Sequence, residues 1–92
     1  MNEQLWIRIG DAGDYEPFGD DLMALCGYLN NCGAGLVTDW VDVGVGIGFA
    51  TQNYWGNDFI SLFWGDADAN LVRPLDAGER AAIEASLDDV LL

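Results

Sequence analysis

Histidine and lysine are absent from the 92 residues, and Arg8, Arg73 and Arg80 are the only basic side chains against 16 acids, which gives a formal charge of −13. Three guanidinium groups cannot neutralise a row of phosphates, so direct binding to nucleic acid is excluded on charge. The missing histidine and lysine also remove the usual bases that activate a nucleophile. The only serines, Ser61 and Ser86, are left without such a partner, and no catalytic residue is assigned. Cysteine is scarce. Cys26 and Cys32, six apart, would lie about 9 Å from one another on a single helix, beyond disulfide reach. With no histidine and no C-x-x-C pair, neither a metal nor a cofactor is expected. No apolar run reaches the ~20 residues of a membrane span, and Met1-Asn2-Glu3-Gln4 has none of the basic character of a targeting segment. The expectation is a soluble, cytoplasmic protein with no membrane partner.

What the chain does have is apolar area. Apolar side chains make up 51% of it, including four Trp, three Tyr and four Phe, so residues 1–92 read as one folded domain rather than a disordered acidic tail. Leu5-Trp6-Ile7-Arg8-Ile9 alternates with the period of a half-buried strand. Gly10 to Asp14 breaks that pattern. Pro17 suits a first helical turn, and Phe18, Leu22, Leu25 and Leu29 form a helical stripe with Asp20 and Asp21 near its start, closed by Asn30-Asn31-Cys32-Gly33. From Leu36 to Phe49, Val41, Val43, Val45, Ile47 and Phe49 alternate with Asp42, Gly44, Gly46 and Gly48. This pattern predicts a strand in which glycine marks a close approach or a bend. Phe59 to Trp64 is a further strand, Leu71-Val72-Arg73 a short one ending at Pro74, and Asp76-Ala77-Gly78-Glu79 opens a last helix with a capping-box form and the stripe Ile83, Leu87, Val90, Leu91. The expected fold is α+β in the order β-α-β-β-β-α: a mainly antiparallel sheet of about four strands with two helices on one face. The other face would then need cover from Trp6, Trp40 or Trp64, or from a partner.

Two short patterns resemble ligand motifs and fail inspection. Asp66-x-Asp68-x-Asn70 opens like a calcium loop, but Leu71 and Ala77 occupy the positions of its glycine and its closing glutamate, so a turn is the better reading. Gly44-x-Gly46-x-Gly48 lies inside a strand pattern beside Asp39 and Asp42, which is the wrong place and the wrong charge for a phosphate cradle.

The acids are unevenly distributed. Asp11, Asp14, Glu16, Asp20 and Asp21 fall within eleven residues with no cation among them, and Asp76, Glu79, Glu84, Asp88 and Asp89 collect near the C-terminal helix. If extended, Asp66 and Asp68 would project to one side about 6.6 Å apart, close to the roughly 7 Å between neighbouring phosphates of one DNA strand. Asp11, Asp14, Glu16, Asp20, Asp21, Asp66 and Asp68 are therefore the candidate partner-binding residues.

Small size, a charge of −13, the missing lysine and an aromatic-rich core together resemble the small acidic phage-type anti-CRISPR proteins, inhibitors of the DNA-mimic class. The likeness lies in composition and layout across the whole chain, with no shared motif. It implies an inhibitor, in a host bacterial cell, that sets carboxylates where phosphates would lie. The implied target is the DNA-binding, PAM-reading site of a CRISPR effector complex of type I. The expected partner is thus a basic DNA-binding protein, and exposed rings leave a homodimer open. The alternative is an acidic immunity protein or antitoxin that covers a basic nuclease toxin.

Overall fold

The computed structural model describes residues 3–10, 14–44, 46–52 and 59–87. Its elements run β1 (Gln4–Ile9), β2 (Glu16–Gly19), α1 (Leu22–Asn31), β3 (Val37–Asp42), β4 (Ile47–Thr51), β5 (Ile60–Gly65), β6 (Leu71–Arg73) and α2 (Ala77–Ser86). All strand pairs are antiparallel, and the sheet order is β2-β1-β5-β4-β3, with β6 also paired to β5. This is the expected α+β class with six strands in place of about four.

β5 is buried at all six positions because it is flanked on both edges and covered on both faces. Ile60, Leu62 and Trp64 face the helices and join Leu5, Phe49, Leu25, Cys26, Leu29, Ile83 and Leu87 in the main core. Ser61 and Phe63 face the other way, beside Trp6. That second face is covered from within the chain: the Tyr15 ring meets Phe63 edge-on with centroids 5.0 Å apart, and the Trp6 indole N–H donates to the Asp66 carbonyl at 2.9 Å. Of the three tryptophans expected to cover this face, only Trp6 does so. Trp40 and Trp64 lie on the helix side, where their indole N–H groups donate to Glu84 and Glu79 of α2.

Two segments differ from their sequence reading. Glu16-Pro17-Phe18-Gly19 is a strand, not a first helical turn. Pro17 opposite Trp6 is tolerated because β2 is an edge strand, and a bulge there lets Phe18 pack towards Tyr28 and the core. The helix therefore starts later, with Asp21 as its N-cap accepting from the Met23 and Ala24 amides at 3.0 and 3.2 Å. It ends as expected: Gly33 at φ +77 allows its own N–H to reach Asn30 and that of Ala34 to reach Leu29.

The other segment is the long alternating run, which is folded back on itself as β3 and β4. Gly44 and Gly46 take φ of +94 and +71, and Asp42 accepts from the Gly44 amide at 3.0 Å. Gly46 also presses against β5, where a Cβ would lie 2.6 Å from the Leu62 carbonyl oxygen and 2.7 Å from Phe63 Cβ. Both sequence readings of these glycines, a bend and a close approach, describe this one turn.

Urea denaturation should separate these two glycines. Gly44→Ala, strained but with open space around it, should cost about 1 kcal/mol, and Gly46→Ala, strained and clashing, about 3 kcal/mol. Equal costs would show that no close approach exists at Gly46. The thiols give a second check. Cys26 is buried, which pushes its pKa up despite a hydrogen bond with Ser86, whereas Cys32 is exposed. A thiol reagent should therefore modify Cys32 in the native protein and reach Cys26 only in denaturant.

Candidate partner-binding surface

Strand register decides which candidate acids stand together. Glu16 lies opposite Ile7, so Asp14 and Glu16 flank the Ile9 end of β1. Gly19 lies opposite Leu5 and delivers Asp20 and Asp21 to the Gln4 end. Gln4 in turn pairs with Gly65, so the turn carrying Asp66 and Asp68 leaves from that same end. At ~3.3 Å per residue the two ends of β1 are about 17 Å apart. The acids that are close in sequence are thus divided between two ends of the sheet, and one end gains Asp66 and Asp68. Asp11 lies outside the described residues.

Not all of these carboxylates are free to serve a partner. Asp14, Glu16, Asp20 and Asp68 are exposed and accept no hydrogen bond from a described residue. Asp21 is exposed but caps α1. Asp66 is half-buried, and its Oδ1 accepts from the amides of Asp68 and Asn70 at 2.9 and 3.0 Å. Those amides, Asn70 first, hold its carboxyl below the usual carboxylate range. The two aspartates therefore belong to a closed turn, and the extended spacing expected for them does not occur. Its turn character was legible in the Asp and Asn residues themselves. Among the described residues no group of three or more His, Cys, Asp or Glu could hold a metal ion.

The basic residues are occupied inside the fold. Arg73 makes a two-pronged pair with Glu79, at 2.9 and 3.0 Å, and lies 3.5 Å from Glu3 and 5.0 Å from the centre of the Trp64 ring. Arg8 stacks on Tyr15 at 4.8 Å, and its Nε is buried without a hydrogen-bond partner among the described residues. Arg80 stacks on Trp40 at 5.7 Å. The Arg73 partner is the most heavily used carboxylate in the protein: Glu79 also accepts from the Asp76 amide, completing the capping box, and from the Trp64 indole. Hydrogen bonding by Arg73 is the main cause that holds Glu79 below its ordinary pKa, and the same bonds raise Arg73 above its own.

The acids that sequence reasoning left aside are Glu3, at the Gln4 end beside Arg73, and Asp39 and Asp42, exposed on β3. Nothing local marked the end of their strand, because the Val-Gly alternation runs on past Asp42. One cavity, of about 420 Å3, adjoins the candidates; it is lined by Asp14 and Glu16 together with Arg8, Ile7, Ile9, Phe18 and Tyr28. No helix among the described residues is long and apolar enough to cross a membrane. Comparison with protein-family models, curated proteins and solved structures finds no match to this chain.

Glu79 gives a test with a definite sign. Its pKa is lower in the folded than in the unfolded chain, so its contribution is present above the ordinary value of about 4.3 and is lost as the pH falls through the folded value. Glu79→Gln should be about 2 kcal/mol less stable than the parent at neutral pH. Denaturant titrations in increasingly acidic buffer should then find the gap closing; a constant gap would refute the charged role of Glu79.

Proposed function

We propose that the protein is an inhibitor of the anti-CRISPR kind, acting as an acidic mimic of DNA that occupies the PAM-reading, DNA-binding site of a type I CRISPR effector complex in the host bacterial cell. The observation that carries this reading is the division of charge. All three arginines are paired or stacked within the fold, while Asp14, Glu16, Asp20, Asp21 and Asp68 stand exposed around β1. A basic groove approaching this side meets exposed carboxylates, and the cations beside them are already engaged, Arg8 against Tyr15 and Arg73 against Glu79.

The density supports a mimic only where acids are gathered. Over 5287 Å2 of surface the net charge is about one per 400 Å2, against roughly one per 100 Å2 on duplex DNA. The Gln4 end brings Glu3, Asp20, Asp21, Asp66 and Asp68 together from three separate parts of the chain. Such a surface would attract a cationic channel over a Debye length and bind it through Arg and Lys pairs, excluding the duplex by occupancy.

The test is displacement of a PAM-bearing duplex from a purified type I effector, with two variants that spare the structural acids Asp21 and Asp66. D14K/E16K reverses the Ile9 end and D20K/D68K reverses part of the Gln4 end. The parent should release the duplex, less effectively at high salt. At least one variant should inhibit about tenfold more weakly, since two lost charge pairs in a desolvated interface are worth more than a factor of ten. Undiminished inhibition by both variants, or full duplex binding in saturating parent protein, would end the proposal. Neutralisation of a basic nuclease toxin with the effector untouched would favour an immunity protein instead.

A further inference from the structure

β3 is the outer strand of the sheet on the side away from β2, and among the described residues no strand pairs with its outer edge. It is six residues long and contains no proline, whereas the opposite edge, β2, is four residues long with Pro17 in it. An edge of that length is a template for one more strand. Along its helix side runs a groove formed with α2, made of two cavities of about 350 Å3 and 260 Å3 that share Trp40 and Arg80 as lining. Ile47 and Leu75 add apolar wall to the first, and Glu84 borders the second. The strand itself carries the exposed acids Asp39 and Asp42.

We propose that the β3 edge receives an extended, cationic segment of a protein partner, which joins the sheet as an added strand. Backbone hydrogen bonds would supply much of the affinity, and alternate side chains of the segment would reach the groove beside Trp40. The charges select the occupant. A second copy of this chain would bring its own exposed Asp39 and Asp42, and a net charge of −13, to an edge that already carries them, so the two copies would meet as like charges. A lysine- or arginine-bearing strand turns that repulsion into attraction. The inference rests on the reading of a basic protein partner, but it needs no competition with DNA.

The probe is a peptide of about eight residues, a strand's length, alternating valine and lysine and titrated into the full chain at physiological ionic strength. Its control is the same peptide N-methylated at alternate residues, identical in charge but unable to complete the ladder. NMR shifts and slowed amide exchange should concentrate at residues 37–42. The methylated peptide should bind at least about tenfold more weakly, and D39N/D42N should weaken the parent peptide about fivefold. Equal affinity of the two peptides, shifts centred on Asp20 and Asp68, or no binding would each overturn the inference. The two proposals fail separately. A chain that displaces duplex from the effector but ignores the peptide keeps the proposed function and loses the β3 site. A chain that binds the peptide at β3 without displacing duplex does the reverse.

Discussion

A domain of this size with sixteen acidic side chains repels itself, and it has only three cations with which to answer, which leaves a net charge of −13. The structure places those cations where they join elements rather than where they would neutralise the surface. Arg73 on β6 holds Glu79 of α2, and Glu79 holds the Trp64 indole of β5 and the capping amide of its own helix. One carboxylate thereby fixes the helix start, the central strand and the short last strand in a single arrangement. Its side chain is only 19% exposed, so its bonds are shielded from the water that makes surface ion pairs weak. The remaining cohesion is apolar and non-directional: a core on the helix side around Leu62, and a smaller aromatic cluster of Trp6, Tyr15 and Phe63 behind the sheet.

This economy of cations shapes the surface. Because Arg8 and Arg80 lie against Tyr15 and Trp40, their charges are turned towards rings of the protein itself. The acids separate into those with an internal duty and those without one. Asp21, Asp66, Asp76 and Glu79 each accept backbone N–H groups and set helix starts or a turn. Asp14, Glu16, Asp20 and Asp68 have no such duty among the described residues, and their mutual repulsion is a cost with no local return. The cationic partner proposed above would supply a return outside the fold.

Much of the architecture could be read from residue pattern because local physics agrees with it. The alternation of Leu5 to Ile9, the capping box at Asp76 and Glu79, and the Asn-Cys-Gly ending of the first helix each have one low-energy solution and adopt it. β2 was not legible, because proline at a first helical turn and proline on an edge strand leave the same trace, and the choice depends on whether β1 offers a partner. The β3–β4 hairpin was hidden for a related reason. Glycine has no side chain to mark a face, so Val-Gly alternation looks alike in a strand and in a turn of positive φ.

The sequence by itself determined the charge, the scarcity of cations, the apolar content sufficient for a core, the α+β class, the ending of the first helix and the capping box of the second, since these follow from composition and from interactions between near neighbours in the chain. Only the tertiary structure decided which acids are neighbours. Asp20 and Asp68 are 48 positions apart yet leave the same end of the sheet, while Asp14 and Asp20, six apart, are carried to opposite ends. Coulomb interactions follow distance in space, and antiparallel pairing sets that distance by register, which no count of charges along the chain contains.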